Sequence, residues 1–297
     1  MRYLLVGLGN LGAKRKAVLG DRCVATVDPF NPAADYCTPG ECSDDRYDAA
    51  ILAVPNDEKV DLLAYFLDRG KPVLVEKPLI VDRLAADDLR RAAARTGTIW
   101  YTSYNFRFEP HVVAIKRHLE AGLLGRLYRV RMFYGNGTAG AIAGTWRDSA
   151  YGVLEDMASH LIDLTGFVFG RVGCHFKVWE RCRHELNTPD HCILATTDGS
   201  VVLEASFVTW KNRWRIDVTG SDGALEMDGL TKWGSSTLRL WRRATHGAPE
   251  ETFDVVCGPD PTWAADLQHF EERVARGERS YENDLWISRT VMAAAAE

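Results

Sequence analysis

The sequence has no Cys-x-x-Cys pair, and its seven cysteines are an odd number (Cys23, Cys37, Cys42, Cys174, Cys182, Cys192 and Cys257). A disulfide framework needs paired cysteines and a structural zinc site needs clustered ligands, so neither is expected. The thiols read as reduced side chains of a cytoplasmic protein. Cys37 and Cys42 lie close together, yet no histidine or further cysteine pair stands near them, and no metal is assigned. Long apolar runs are missing as well, and no window approaches the roughly 18 residues of a membrane span. The run Tyr3-Leu4-Leu5-Val6 stops at a glycine turn, too soon for the core of a secretory signal. There is no long basic tract, and the net charge of -5 opposes non-specific binding to nucleic acid. Internal repeats and low-complexity tracts are absent too. What remains is a soluble chain of 297 residues, enough for two domains at roughly 150 residues each, with 46% apolar residues to fill their cores.

The first hundred residues alternate strands and helices. Apolar strands are expected at Tyr3 to Val6, Cys23 to Val27, Ala49 to Val54, Pro72 to Val75 and Thr98 to Thr102. Helices are expected at Asn10 to Leu19, Asp57 to Leu67 and Asp82 to Arg95, the last with Asp82 as its N-cap. Continuous apolar strands separated by helices predict a parallel sheet covered on both faces. Pro29 to Tyr47 breaks the rhythm with Pro29, Pro32 and Pro39, so a loop is expected there. After a helix near Pro110 to Ala121 the texture changes. Strands are expected at Leu127 to Tyr134, His191 to Thr197, Val201 to Val208, Arg213 to Thr219 and Ala224 to Asp228, with a hairpin turn at Asp198-Gly199. One helix interrupts them at about Val153 to Phe169, and two more close the chain near Trp263 to Arg276 and Asp284 to Ala296. Strands without intervening helices predict an antiparallel sheet.

Gly7-x-Gly9-x-x-Gly12 lies between the first strand and the first helix, the context in which such a turn binds a dinucleotide. Gly7 permits the tight turn, Gly9 lets backbone approach a pyrophosphate, and Gly12 allows close helix–strand packing. Asn10 and Leu11 open the helix whose N–H groups face the phosphate. Asp28 ends the next strand, sixteen residues after Gly12. A carboxylate there accepts from ribose hydroxyls and repels a 2′-phosphate, which favours NAD over NADP. Pro55 and Asn56 follow the third strand at the same sheet edge, near the nicotinamide half, although Asn56 is equally an ordinary helix start.

Glu76-Lys77-Pro78 follows the fourth strand. A lysine at the carboxyl end of such a strand faces the crevice where ligands bind, and beside a cationic ring it can work as an acid/base group. With the glycine turn it suggests a dehydrogenase rather than only a nucleotide binder. A second cluster lies in Gly152 to Asp163, where Asp156, Ser159, His160 and Asp163 share a face at spacings of three and four. An aspartate and a histidine one turn apart suit acid/base chemistry, although a lone histidine is more often a satisfied core residue. Asp163 reads as a supporting partner or a surface charge. A third cluster, Tyr104 to Pro110, offers Asn105 and Arg107 to hold a polyhydroxylated or anionic substrate. Alternatively, Arg107 pairs with a carboxylate across the domain boundary. Trp146, Arg147 and Tyr151 precede the second cluster and either shape the pocket or pack a surface loop.

With these motifs in order, the chain resembles the Gfo/Idh/MocA oxidoreductases, the glucose-fructose oxidoreductase and inositol dehydrogenase family. The resemblance rests on the glycine turn, Glu76-Lys77-Pro78, the segment Asn105 to Pro110 and Asp156-x-x-x-His160-x-x-Asp163, and it covers nearly the whole chain. It implies an α/β Rossmann domain with a parallel sheet at 1–105. An α+β domain with a large open, mainly antiparallel sheet would follow at 106–297, its last helix packing back on the first domain. It also implies that Lys77, Asp156 and His160 line the substrate site, with Glu76 and Lys77 near the cofactor. Three departures stand out. Lys59 occupies a helix position where the family often has histidine, Ala158 replaces a usual glycine, and the loop after Asp28 is irregular.

The expected activity is NAD(H)-dependent hydride transfer at a secondary alcohol of a sugar, sugar derivative or cyclitol. The rivals are a nucleotide-sugar dehydrogenase or ketoreductase using Arg107, Arg147 and Arg213, an NAD-dependent glycosidase, and a non-catalytic nucleotide-sensing subunit. Val202, Glu204 and Ser206 alternate with Leu203, Ala205 and Phe207, and Trp210 and Trp214 follow. An open sheet face with added aromatics predicts a homodimer or homotetramer.

Overall fold

The computed structural model describes residues 1–145, 147–170, 173–279 and 281–297, and these divide into two compact units. The first comprises Met1–Asn105 with Trp263–Ser288, and the second Phe106–Thr262 with Arg289–Glu297.

In the first unit, strands β1 (Tyr3–Val6), β2 (Cys23–Val27), β3 (Ala49–Leu52), β4 (Val73–Glu76) and β5 (Trp100–Ser103) form a parallel sheet of order β2-β1-β3-β4-β5. Helices α1 (Asn10–Leu19), α2 (Asn56–Asp68) and α3 (Arg83–Thr96) connect them. The strands read as unbroken apolar runs because both faces are covered. Leu4, Val6, Ala50, Leu52, Val73 and Val75 pack with Leu63, Phe66 and Leu89 of the helices. The alternate residues Tyr3, Leu5, Ala49, Ile51 and Leu74 pack with Leu19 and with Leu267 and Phe270 from near the end of the chain. The Asp82 carboxylate accepts from the Ala85 N–H and starts α3, and Gly97 ends it in the left-handed conformation. The loop after β2 holds no α-helix. Asp35 folds it back by accepting from the Thr26 N–H and hydroxyl, and Tyr36 bridges to Val27.

The second unit opens with α4 (Pro110–Glu120) and β6 (Leu127–Gly135), then a short α5 (Ala139–Ile142). A π-helical turn (Leu154–Ala158) runs into α6 (Ser159–Phe169). Strands β7 (Phe176–Cys182), β8 (His191–Thr196), β9 (Val201–Ser206), β10 (Arg213–Gly220), β11 (Gly223–Asp228), β12 (Ser236–Arg242) and β13 (Glu250–Val256) complete an eight-stranded sheet of order β13-β12-β11-β10-β6-β9-β8-β7. Three of these strands, β7, β12 and β13, lie outside the sequence expectation. β6 and β9 pair in parallel, which makes the sheet mixed rather than purely antiparallel. The hairpin at Asp198-Gly199 joins β8 to β9, with Gly199 at φ +66. Helices α7 (Thr262–Arg276) and α8 (Glu282–Ala296) close the chain.

Alternation gives the large sheet two different faces. Val130, Met132, Tyr134, Leu203, Ala205, Trp214, Ile216 and Val218 are buried. Arg129, Arg131, Arg213 and Arg215 are exposed on the opposite phase of β6 and β10, with Asp217 beside them. Trp214 therefore belongs to the inner face and not to the open one. Its neighbours in the period-2 pattern are Ile216 and Val218. Trp210 lies in the loop before β10 and is exposed. All seven cysteines are free thiols. Among the described residues no helix is long and apolar enough to cross a membrane, and no group of acidic, histidine or cysteine side chains is gathered as a metal site.

Candidate active site

In the first unit, β1 ends at Val6 and the chain turns at Gly7, whose φ of +92 suits glycine and whose N–H donates to the Val27 carbonyl at 2.8 Å. A Cβ on Gly12 would collide with the Gly7 carbonyl oxygen, so α1 approaches β1 only because Gly12 has no side chain. Gly9 differs: a Cβ there would meet nothing within 4 Å. Gly9, Asn10 and Leu11 are exposed at the start of α1, and the first turn carries no acidic side chain. An open glycine at a ten-residue helix's N-terminus is a cradle that fits a dinucleotide's phosphates.

Asp28 is half-buried at the end of β2. Its carboxylate accepts the Leu8 N–H at 2.8 Å, the Phe30 N–H at 2.9 Å and the Asn31 N–H at 3.0 Å. Burial pulls this carboxyl upward, but the three donors outweigh it and hold it below its ordinary value. Asp28 thus fixes the glycine turn and stays ionised. With roughly four acceptor positions on a carboxylate, one remains for a ribose hydroxyl.

Pro55 precedes α2 and is exposed, while Asn56 is half-buried in its first turn. The Asn56 Oδ1 accepts from the Lys59 ammonium at 2.6 Å. β4 delivers Glu76 as its last residue, and Lys77 follows, half-buried, with a cis bond to Pro78. Glu76 is spent on an ion pair rather than left open: its Oε1 accepts from Arg15 Nε at 2.6 Å. Arg15, fully buried on α1, also donates to Asp266 at 2.8 Å and to Ser103, and its guanidinium lies over the Trp263 ring at 4.7 Å. Tyr101 and Ser103 complete the cluster by donating to Asp266. Sequence reasoning missed Arg15 and Asp266, because a buried arginine on a helix surface pattern gives no local signal. Asn105, the last residue of the first unit, is buried.

In the second unit, the π-helical turn alters the phase assumed for a regular helix. π-turns of this kind recur at functional sites. Asp156 lies within it, half-buried and paired with Arg147. His160 follows in α6, only 4% exposed. Its ring stacks on Phe106 with centroids 4.1 Å apart and meets Tyr134 edge-on at 5.9 Å. The Lys232 ammonium stands 4.2 Å from the Phe106 centroid and 4.5 Å from that of Trp233. Burial and the neighbouring Asp156 charge push the Tyr134 hydroxyl upward, so it stays a neutral donor. Phe106, Tyr134, Lys232 and Trp233 were not legible as site residues. Tyr134, for instance, occupies the inward phase of β6 like any core residue.

Asp163 is buried and holds Arg107 in a two-point ion pair, with Nε to Oδ2 at 2.8 Å. Both residues belong to the second unit, so this carboxylate is not one across the domain boundary. Asp148 pins the segment before the π-turn. It accepts from the Gly144 and Thr188 N–H groups, the Thr188 hydroxyl and the Asn187 amide. Tyr151 is half-buried in this segment, and Trp146 lies outside the described residues.

Residues 30–104 match a family described as an oxidoreductase family with an NAD-binding Rossmann fold, and residues 112–226 match the GFO/IDH/MocA C-terminal domain. An inositol 2-dehydrogenase of Rhizobium meliloti (strain 1021) is 25% identical over 76% of this chain and 74% of its own length. The NAD(+)-dependent scyllo-inositol 2-dehydrogenase of Bacillus subtilis (strain 168) is 24% identical over 96% of this chain and 89% of its own. A levoglucosan dehydrogenase solved in complex with NADH shares the fold, with a TM-score of 0.80 at 17% identity, covering 100% of this chain and 97% of that one. The chain belongs to the Gfo/Idh/MocA family of oxidoreductases.

Proposed function

We propose that this enzyme oxidises a secondary alcohol of a cyclitol or related polyol with NAD, or reduces the corresponding ketone with NADH. The observation that carries the reading is the open cradle at Gly9, flanked by an Asp28 carboxylate that three backbone donors keep ionised. The inositol dehydrogenases among the relatives support the substrate class. Asp28 favours NAD, because a 2′-phosphate beside an ionised carboxylate meets repulsion.

Gly7, Gly9, Asn10, Leu11 and Gly12 would hold the pyrophosphate, Asp28 a ribose, and Pro55 and Asn56 the nicotinamide half. The bound nicotinamide supplies the hydride acceptor or donor. In the oxidative direction the carbinol C–H bond breaks with its electron pair and the hydroxyl proton leaves to His160. In the reductive direction His160 returns that proton to the new alkoxide. Lys77 donates a hydrogen bond to the same oxygen. Asp156, oriented by Arg147, holds a neighbouring hydroxyl, with Asn105 and Tyr151 as further contacts. Glu76 acts through Arg15 to fix the strand end before Lys77. Arg107 and Arg147 are engaged by Asp163 and Asp156, and Arg213 projects from the opposite face of β10 to Trp214. This weighs against a phosphate-binding role in a nucleotide-sugar enzyme.

The test is a panel of myo-inositol, scyllo-inositol, free sugars and nucleotide sugars with NAD, followed by nicotinamide absorbance at 340 nm. Net NADH formation on a cyclitol or sugar supports the reading, and cleavage of a glycoside without net NADH would replace it with transient oxidation. Calorimetry should show tighter binding of NADH than of NADPH, a gap that Asp28→Ser narrows. For assembly, we infer that a second copy covers the outward face of the large sheet. There Arg129, Arg131 and Arg215 stand beside Asp217 and Glu226, a pattern complementary to itself about a two-fold axis.

A further inference from the structure

We propose that Lys59 is a positioning residue that holds the Lys77 turn in its working conformation, an assignment that rests on the role given to Lys77 above. Lys59 lies one turn into α2 and is 2% exposed. A buried ammonium is costly unless it is hydrogen-bonded, and charge-assisted bonds are roughly twice as strong as neutral ones. This ammonium donates to the Asn56 Oδ1 at 2.6 Å and to the Pro78 carbonyl at 2.7 Å. The two acceptors come from the segments after β3 and after β4, which carry the Asn56 and Lys77 motifs. β4 ends at Glu76, so the Pro78 carbonyl lies beyond the sheet ladder.

Lys77 is thereby bracketed. Before it, the Glu76 side chain is fixed by Arg15. After it, the Pro78 carbonyl is fixed by Lys59, and the Leu79 carbonyl accepts from the Ser288 hydroxyl at 3.0 Å. The Ser288 oxygen in turn accepts the Val81 N–H at 3.1 Å. The ammonium also decides how Asn56 faces. It can only donate, so the amide oxygen must turn toward it and the amide nitrogen to the other side. A lysine that only filled a hole in the core would need neither acceptor, and a methionine would serve as well.

The test uses Lys59→Met, which keeps the stem length and removes every donor, and Lys59→Gln, which keeps a neutral donor. Hydrogen–deuterium exchange of segment 77–81, read against Leu4 and Leu5 in β1, needs no substrate. Turnover uses scyllo-inositol or myo-inositol, and NADH affinity is read by fluorescence. Lys59→Met should speed exchange in 77–81 at least tenfold with β1 unchanged. It should lower kcat at least tenfold while KM for the polyol and Kd for NADH stay within about threefold, and Lys59→Gln should fall between. Unchanged exchange in 77–81, or equal acceleration in β1, would overturn the proposal. Faster exchange with unchanged kcat would reduce Lys59 to a structural lysine and overturn it as well. If the unmodified enzyme turns over no polyol, the substrate reading fails, and the exchange result still decides whether Lys59 holds the turn.

Discussion

Replacing Arg15 with methionine should expose how strongly α1 is tied to the strand that delivers Lys77. The Arg15 guanidinium is fully buried between Glu76 and Asp266, both nearly inaccessible. Methionine fills much of the volume but leaves two carboxylates buried without their cation. Breaking a buried pair from one side costs about 3–5 kcal/mol, and two stranded carboxylates put this case toward the upper end. At roughly 2–4 °C per kcal/mol for a domain of 150–250 residues, the melting temperature should fall by about 10 °C or more. Differential scanning calorimetry of the variant and the unmodified chain measures this. The double variant Arg15→Met/Asp266→Asn should recover part of the loss, which a double-mutant cycle would report as a coupling above about 1 kcal/mol. A deficit below about 1 kcal/mol would refute the reasoning.

Gly9→Ala should fold normally, since a Cβ there meets open space, yet lose NADH affinity in a fluorescence titration. Gly12→Ala should instead destabilise the first unit, because its Cβ runs into the Gly7 carbonyl. Lys77→Ala and His160→Ala should each lower turnover by roughly a hundredfold with NADH affinity little changed, and near-normal rates in both would remove the acid/base assignment. Asp148 is held down at about 2 by backbone donors, the first being the Gly144 N–H. A carboxyl lowered in the folded state contributes stability above its ordinary value of 3.8 and loses it as pH falls toward 2. Asp148→Asn should thus melt lower than the unmodified chain at pH 7 and approach it near pH 2. Light scattering at micromolar concentration should give at least twice the 33.2 kDa chain mass, and added salt should weaken an assembly built on the arginine–carboxylate face.

The first sheet was legible because its strands are buried on both faces and connected locally, so the apolar runs and the glycine turn carry their own meaning. Asp82 announced α3 for the same local reason. The large sheet was only partly legible. β13 is almost wholly exposed and β7 is half so, and edge strands with charged outer residues carry no apolar alternation to detect. The parallel pairing of β6 with β9 depends on a partner some seventy residues away, which no local pattern specifies. The same division runs through the candidate site. Gly9, Asp28, Lys77, Asp156 and His160 could be named from spacing, because residue type and position on an element are local properties. That Glu76 belongs to Arg15, that Arg107 belongs to Asp163, and that Lys59 reaches the Pro78 carbonyl were decided only by the fold. A buried charge must find its partner wherever the chain brings one, and Arg15 meets Asp266 across 251 positions of sequence.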